Sequence, residues 1–240
     1  MNILITNDDG ISSAGLLRLA KAAQAFGKVY VVAPHVQHSG KARALTLGGT
    51  MELYRADFPL EGVTAYACTG TPTDCVRMGL HKVLKPDLLL SGINDGYNAG
   101  SDAEYSATVG AALEAAHAGI PAIAFSEAGS FSREYPGRTD TTDANLEKVI
   151  ALLSAKSLEK DSIFNVNFPH CAPDEVKGIL ENRRLADRSY YIEQYPDEKN
   201  ADGSLHVTVT TYINEDEPEG TDIHVIAHNY ISVSTLHCIR

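Results

Sequence analysis

Along this chain, short runs of nearly continuous apolar residues alternate with stretches in which apolar residues recur every three or four positions. NILIT at 2–6, VYVVAP at 29–34, DLLLSG at 87–92, PAIAFS at 121–126 and IFNVNFP at 163–169 have strand length. Runs of that kind are expected of strands covered on both faces in a parallel sheet. After the first run, Leu16, Leu17, Leu19, Ala20 and Ala23 fall at helical spacing, and residues 72–84, 106–118 and 143–157 also read as helices. Strands alternating with helices predict an α/β, Rossmann-like, three-layer core with a parallel sheet between two helical layers.

Two regions break the alternation. RALTL and MELYRA flank Gly48-Gly49, a pattern that predicts a β-hairpin protruding from the sheet edge. From about residue 178 the texture becomes aromatic and strand-like: LHVTVTTYI at 205–213 alternates, the acidic stretch NEDEPEGTD follows, and IHVIAHNYISVSTL comes next. The chain reads as one domain over 1–240, with a core over about 1–177 and a β-rich C-terminal extension over about 178–240.

Composition narrows the function. With 240 residues and 44% hydrophobic content the chain can bury a core without a metal or a disulfide. No apolar stretch approaches the roughly 20 residues of a membrane span, and no basic leader is evident, so a cytoplasmic location and no membrane partner are expected. Cys68, Cys75, Cys171 and Cys238 form no CxxC pair, which supports neither a disulfide framework nor a zinc ribbon. A net charge of −11 disfavours a nucleic-acid polymer as partner, because such binding rests on Lys and Arg neutralising phosphates. Arg183, Arg184 and Arg188 form a local basic cluster, for which surface pairing is the default.

Ligands of open parallel sheets bind beyond the carboxyl ends of the strands. There the sequence places Asp8, Asp9 and Gly10 after the first run, His35, His38, Ser39 and Gly40 after the second, and Asn94, Asn98, Ser101 and Asp102 after DLLLSG. This oxygen-rich set suits a hard divalent cation, Mg²⁺, Mn²⁺ or Ca²⁺ above zinc, with Mg²⁺ or Mn²⁺ expected, and a cation would offset the repulsion between Asp8 and Asp9. A solvated turn with one aspartate capping the next helix accounts for the same residues. GTPTDC at 70–75 reads equally as a helix start or a ligand loop. In YSATVG at 105–110, Ser106 and Thr108 open an Ala-rich helix that is either a phosphate site or a simple N-cap. GxGxxG, GxxxxGK[ST] and GxSxG are absent.

Taken together, ILITNDDGI, VVAP followed by HSG, GTPTDCV, SGINDGYNAGSDAEYSATVGAALEAAHAGIPAIAFS, NVNFP, and EGTD with YISVSTL resemble the SurE family of stationary-phase survival proteins. The resemblance implies a metal-dependent phosphatase hydrolysing nucleoside 5′- and 3′-monophosphates, with one divalent cation on Asp8, Asp9, Ser39 and Asn94. It also implies a phosphate site near Asn98, Ser106 and Thr108, to which Gly40 after the second strand is added. Phosphomonoester hydrolysis there would use Asp8 or Asp9 to orient or deprotonate the water and Asn98 to donate to the phosphoryl group. The resemblance further implies a homodimer or homotetramer that exchanges C-terminal segments. The chain departs from the family pattern at Ser13-Ala14, where Ala-Pro is usual, at KARALT after Ser39-Gly40, at Ala107 and at Asn229. The competing class is a metal-dependent nucleotide-binding sensor without turnover.

Overall fold

The computed structural model describes residues 1–129, 137–214 and 216–238. Six parallel strands form its centre: β1 (Asn2–Thr6), β2 (Lys28–Pro34), β4 (Thr64–Cys68), β5 (Leu88–Asp95), β6 (Ala122–Glu127) and β7 (Ser162–Asn167). Three more strands extend this sheet: β3 (Leu53–Arg55), β8 (Gly178–Leu180) and β13 (Tyr230–His237). The order is β3-β4-β2-β1-β5-β6-β7-β13-β8, with β3 antiparallel to β4 and β13 antiparallel to β7.

The two-sided burial expected from the apolar runs follows strand parity. Ile3 and Ile5 face one core with Val29, Val31, Leu88, Leu90 and Phe125, while Leu4, Val32 and Leu89 face the other. The first core is closed by α1 (Ala14–Ala23) and α4 (Asp140–Ser154), through Leu16, Leu19, Leu146 and Ile150. The second is closed by α2 (Pro72–Met78) and α3 (Ala107–His117), through Val76, Val109 and a stripe of alanines that lets α3 lie close to the strands. A single π-helical turn, Gly79–Val83, completes the stretch expected to be helical up to 84.

The hairpin expected around Gly48-Gly49 does not form, and the hairpin-like edge is instead β3 paired with β4. Residues 43–47 are drawn to helix side chains. Arg43 Nη2 donates to Glu114 Oε2 at 2.6 Å, Thr71 Oγ1 donates to the Ala44 carbonyl at 2.7 Å, and Thr46 Oγ1 donates to Asp74 Oδ2 at 2.7 Å. Those bonds replace a strand ladder for this segment. The protruding hairpin is C-terminal: β9 (Tyr191–Gln194) pairs with β12 (Thr210–Ile213), and β10 (Asp197–Lys199) with β11 (Leu205–Val207). IHVIAHNYISVSTL divides into α5 (Asp222–Ala227) and β13, and Glu215 of the acidic stretch lies outside the described residues. Arg188 is paired with Asp187 and Asp216. All four cysteines are free and buried.

Glu114 also accepts from Arg77 Nε at 2.7 Å, so it joins α2, α3 and the loop after Gly40. Burial pushes its carboxyl up, but Arg43 and Arg77 outweigh that and hold it below the ordinary value. A depressed folded-state pKa supplies stability above the unfolded value, about 4.3, that is lost as pH falls through the folded one. Glu114→Gln is therefore expected to cost about 1–2 kcal/mol at pH 7, the arginines being partly exposed. Thermal midpoints of the variant and the parent should converge at acid pH; a constant gap from pH 7 to 3 would contradict this account.

Candidate active site

The chain passes from β1 to β2 on one side, then returns past β1 to add β5 on the other. The crevice opened by that reversal lies at the carboxyl ends of β1 and β5. Asn7, fully buried, shapes the turn after β1: its Nδ2 donates to the Gly10 carbonyl at 3.0 Å and to Ser13 Oγ at 2.8 Å. Gly10 takes φ +102°, which a side chain would strain. Ser13 in turn caps α1 by accepting from Leu16 N–H at 3.2 Å. The His38 N–H donates to the Asp8 carbonyl at 2.7 Å and ties the loop after β2 to this turn.

Asn94 reaches the same point from β5, whose pairing with β6 shifts register between Ser91 and Asn94. Its Nδ2 donates to the Gly96 carbonyl at 2.8 Å, so Oδ1 is left facing the crevice as an acceptor. Thr108 Oγ1 lies 2.5 Å from Asp8 Oδ1 and 3.5 Å from Asn94 Oδ1. On the outer side, Gln37 Nε2 lies 3.4 Å from Asp9 Oδ1 and 3.0 Å from Ser39 Oγ. Two bridging side chains thus link these oxygens in two pairs, Asp8 with Asn94 through Thr108 and Asp9 with Ser39 through Gln37, and the pairs meet where Asp8 and Asp9 adjoin in the chain.

Charge is not balanced at this point. Asp8 is buried, and burial followed by the charge of Asp9 raises its pKa to about 6. Asp9 is also raised, chiefly by burial; hydrogen bonds from the Asp95 backbone and the Gln37 side chain oppose this, while the charges of Asp95 and Glu127 add to it. The nearby cation does not help the pair directly, because Arg18 is taken up by Glu127, at 2.5 and 3.0 Å, and by Asp143. Two carboxylates held together without a counter-charge among the described residues, beside a carbonyl-type oxygen and a hydroxyl, are a donor set suited to a hard divalent cation.

Asp8, Ser39, Gly40, Asn94, Asn98 and Ser106 all line one cavity of about 550 Å³. Ser106 caps α3, accepting from Val109 N–H at 3.1 Å, which leaves its hydroxyl proton for an acceptor in the cavity. Asn98 is rigidly placed: its N–H donates to Asn167 Oδ1 at 2.9 Å and its Nδ2 to Ser126 Oγ at 2.8 Å.

A family model described as "Survival protein SurE" matches residues 3–191. The chain belongs to the SurE family. Curated relatives named 5'-nucleotidase SurE match it at near full length. The one from Pelobacter propionicus is 37% identical across 99% of this chain and 93% of its own, and the one from Thermosipho africanus 38% identical across 98% and 91%. The crystal structure of the SurE protein from Aquifex aeolicus superposes with a TM-score of 0.82 at 32% identity, covering 99% of this chain and 93% of that one.

Within this SurE-family frame, one expected substrate residue sits elsewhere. Thr108, expected beside Ser106 at the phosphate, is fully buried and spends its hydroxyl on Asp8. Ser106 is the N-cap, with extended backbone, and lines the cavity, whereas Thr108 lies inside the first turn, behind Asp8 and Asn94, with its hydroxyl on their oxygens. GTPTDC is a helix start: Thr71 and Asp74 form a capping box, and Asp74 also holds Thr46. Burial, then His35 and Lys41, lower the His38 pKa, which favours the neutral ring. Asp102 accepts from the Tyr190 and Tyr191 N–H groups at 2.7 and 3.1 Å.

Sequence reasoning missed the aromatic wall of Tyr105, Tyr191 and Tyr195, with Ser189 and Glu193, that closes the cavity. The tyrosine-dense stretch SYYIEQY was its only local signal. Its position depends on a long-range fold-back in which the Tyr97 N–H donates to Tyr191 Oη at 2.7 Å and Tyr97 packs edge-on to Tyr190.

Proposed function

We propose that this chain is a divalent-metal-dependent nucleotidase that hydrolyses the phosphomonoester bond of nucleoside 5′- and 3′-monophosphates. The observation that supports the reading is a cavity lined by Asp8, Ser39, Asn94, Asn98, Ser106 and the wall tyrosines Tyr105, Tyr191 and Tyr195, with Asp9 joined to Ser39 through Gln37 beside it. The names of the curated relatives support the nucleotidase class.

Asp8, Asp9, Ser39 and Asn94 would hold one cation, Mg²⁺ or Mn²⁺ by the all-oxygen chemistry of the set. When bound, it supplies the positive charge that the aspartate pair lacks and makes water more acidic. The phosphoryl group sits at the α3 entrance, where Ser106 and Asn98 donate hydrogen bonds to its oxygens and the helix dipole favours its charge. Asp9, the more open carboxylate, receives the proton of the attacking water. The new P–O bond forms as the ester P–O bond breaks, and the alcohol leaves with a proton from solvent. Tyr105, Tyr191 and Tyr195 offer faces on which a nucleobase stacks.

Exposed Leu205, Val207, Val209 and Tyr212 on the C-terminal hairpin support assembly between copies, as a homodimer or homotetramer with exchanged C-terminal segments. Among the described residues no helix is long and apolar enough to cross a membrane, and the reading keeps a cytoplasmic location. The test is phosphate release from AMP, 3′-AMP and p-nitrophenyl phosphate with Mn²⁺ or Mg²⁺, before and after EDTA. Metal-restored turnover is expected; nucleotide binding without turnover across the panel would leave the sensor reading in its place.

A further inference from the structure

A second cluster of ligating side chains lies on the C-terminal extension, on α5 and the acidic loop before it. Glu217, His224 and His228 each offer one ligand atom, and these atoms lie within 4.8 Å of one another. His224 and His228 are four residues apart, His224 inside α5 and His228 at its C-cap, so their rings share one side of the helix. The ring centroids are 4.2 Å apart. Glu217 Oε2 is 4.0 Å from His224 Nδ1 and 3.4 Å from His228 Nδ1. A tetrahedral ion with bonds of about 2.0–2.1 Å sets its ligands about 3.3 Å apart; Glu217 and His228 already stand near that spacing, and closure requires His224 to approach and His228 Nδ1 to leave the His224 carbonyl.

A further observation points to a ligand. His224 Nδ1 is buried and has no hydrogen-bond partner among the described residues. A buried ring nitrogen left unpaired is costly, and occupation by a cation removes that cost. His228 Nδ1 stands 2.8 Å from the His224 carbonyl, to which it donates when protonated there. Cation binding moves that proton to Nε2.

We propose that Glu217, His224 and His228 form a separate site for a borderline transition-metal cation, Zn²⁺ or Co²⁺, with water completing the shell. Two imidazoles and one carboxylate suit such an ion, whereas the oxygens around Asp8 and Asp9 suit Mg²⁺ or Mn²⁺. The site is structural. Asp222 on the same helix holds the Gly100 and Ala186 N–H groups, so an ion on α5 and Glu217 fastens the acidic loop to a helix already tied to the rest of the fold. The inference does not depend on the proposed phosphatase reaction.

The experiment uses the full-length chain stripped with a chelator, with Co²⁺ as spectroscopic probe and Zn²⁺ stoichiometry measured by elemental analysis after desalting. Wild type is expected to develop visible bands of a low-coordinate Co²⁺ site and to retain one Zn²⁺ that Asp9→Asn does not remove. His228→Ala, at a half-exposed position where the fold is not at stake, should lose the bands and bind Zn²⁺ at least about tenfold more weakly. Glu217→Gln should weaken it as well, and Mn²⁺-supported activity should be unchanged in both. Equal Co²⁺ spectra and Zn²⁺ stoichiometry in wild type and His228→Ala would overturn the site, as would failure of wild type to retain Zn²⁺.

Discussion

Asp9→Asn is expected to lower metal-supported hydrolysis of AMP by about 10³-fold while leaving the circular dichroism spectrum unchanged. Asparagine keeps the volume of the side chain and an oxygen for Gln37, now 3.4 Å from Asp9 Oδ1, so the turn has no reason to rearrange. What is lost is one of two negative charges and the proton acceptor. Removing a single preorganised group from such a centre costs about 10²–10³ in rate, and the loss of cation affinity adds to it. The same substitution relieves Asp8, whose pKa is raised by burial and then by the charge of Asp9. In chelator, the thermal midpoint of Asp9→Asn should therefore be at least as high as that of the parent. Lost activity with undiminished stability is the signature of a cation site that the metal-free protein carries at a cost. Activity within tenfold of the parent at saturating metal would remove Asp9 from the reaction.

The second large effect is expected far along the chain. Asp222 is fully buried, and its carboxylate accepts from the Gly100 N–H at 2.7 Å and from the Ala186 N–H at 2.8 Å. It thereby pins the GYNAG loop, which carries Asn98, to the C-terminal extension, which carries Tyr191 and Tyr195. Asp222→Ala leaves three buried donors unpaired, the Gly100 and Ala186 N–H groups and the Ile223 N–H, which lies 3.0 Å from Oδ1, at about 1–3 kcal/mol for each that finds no other partner. A loss of about 3 kcal/mol lowers the melting temperature of a chain this size by roughly 6–12 °C. Because the loop and the aromatic wall are both loosened, KM for the nucleotide should rise more than kcat falls, and the effect on p-nitrophenyl phosphate should be smaller. Asp222→Asn, which keeps one acceptor oxygen, should fall between the two. A variant as stable as the parent, with unchanged KM, would refute the brace.

The β-α alternation was legible because both-face burial leaves an unmistakable mark: runs such as NILIT and DLLLSG carry apolar residues at odd and even positions alike, and the structure divides them between two cores. The hairpin around Gly48-Gly49 was not, because local β-propensity in RALTL is outcompeted by Glu114 and Asp74, partners 71 and 28 residues away. Thr108 shows the same limit at smaller scale, since two hydroxyls in one motif looked equivalent until the fold made Ser106 the cap of α3 and set Thr108 against Asp8.

By itself the sequence determined the layered α/β class, the family resemblance and the group of oxygen-bearing residues at strand ends, all set by local pattern and spacing. Only the tertiary structure decided that Thr108 and Gln37 bridge those oxygens, that Asp102 and Asp222 serve backbone donors, and that tyrosines from residues 105, 191 and 195 close the cavity. These depend on contacts across up to 122 residues, and such partners are selected by packing of the whole chain, which no short window of sequence contains.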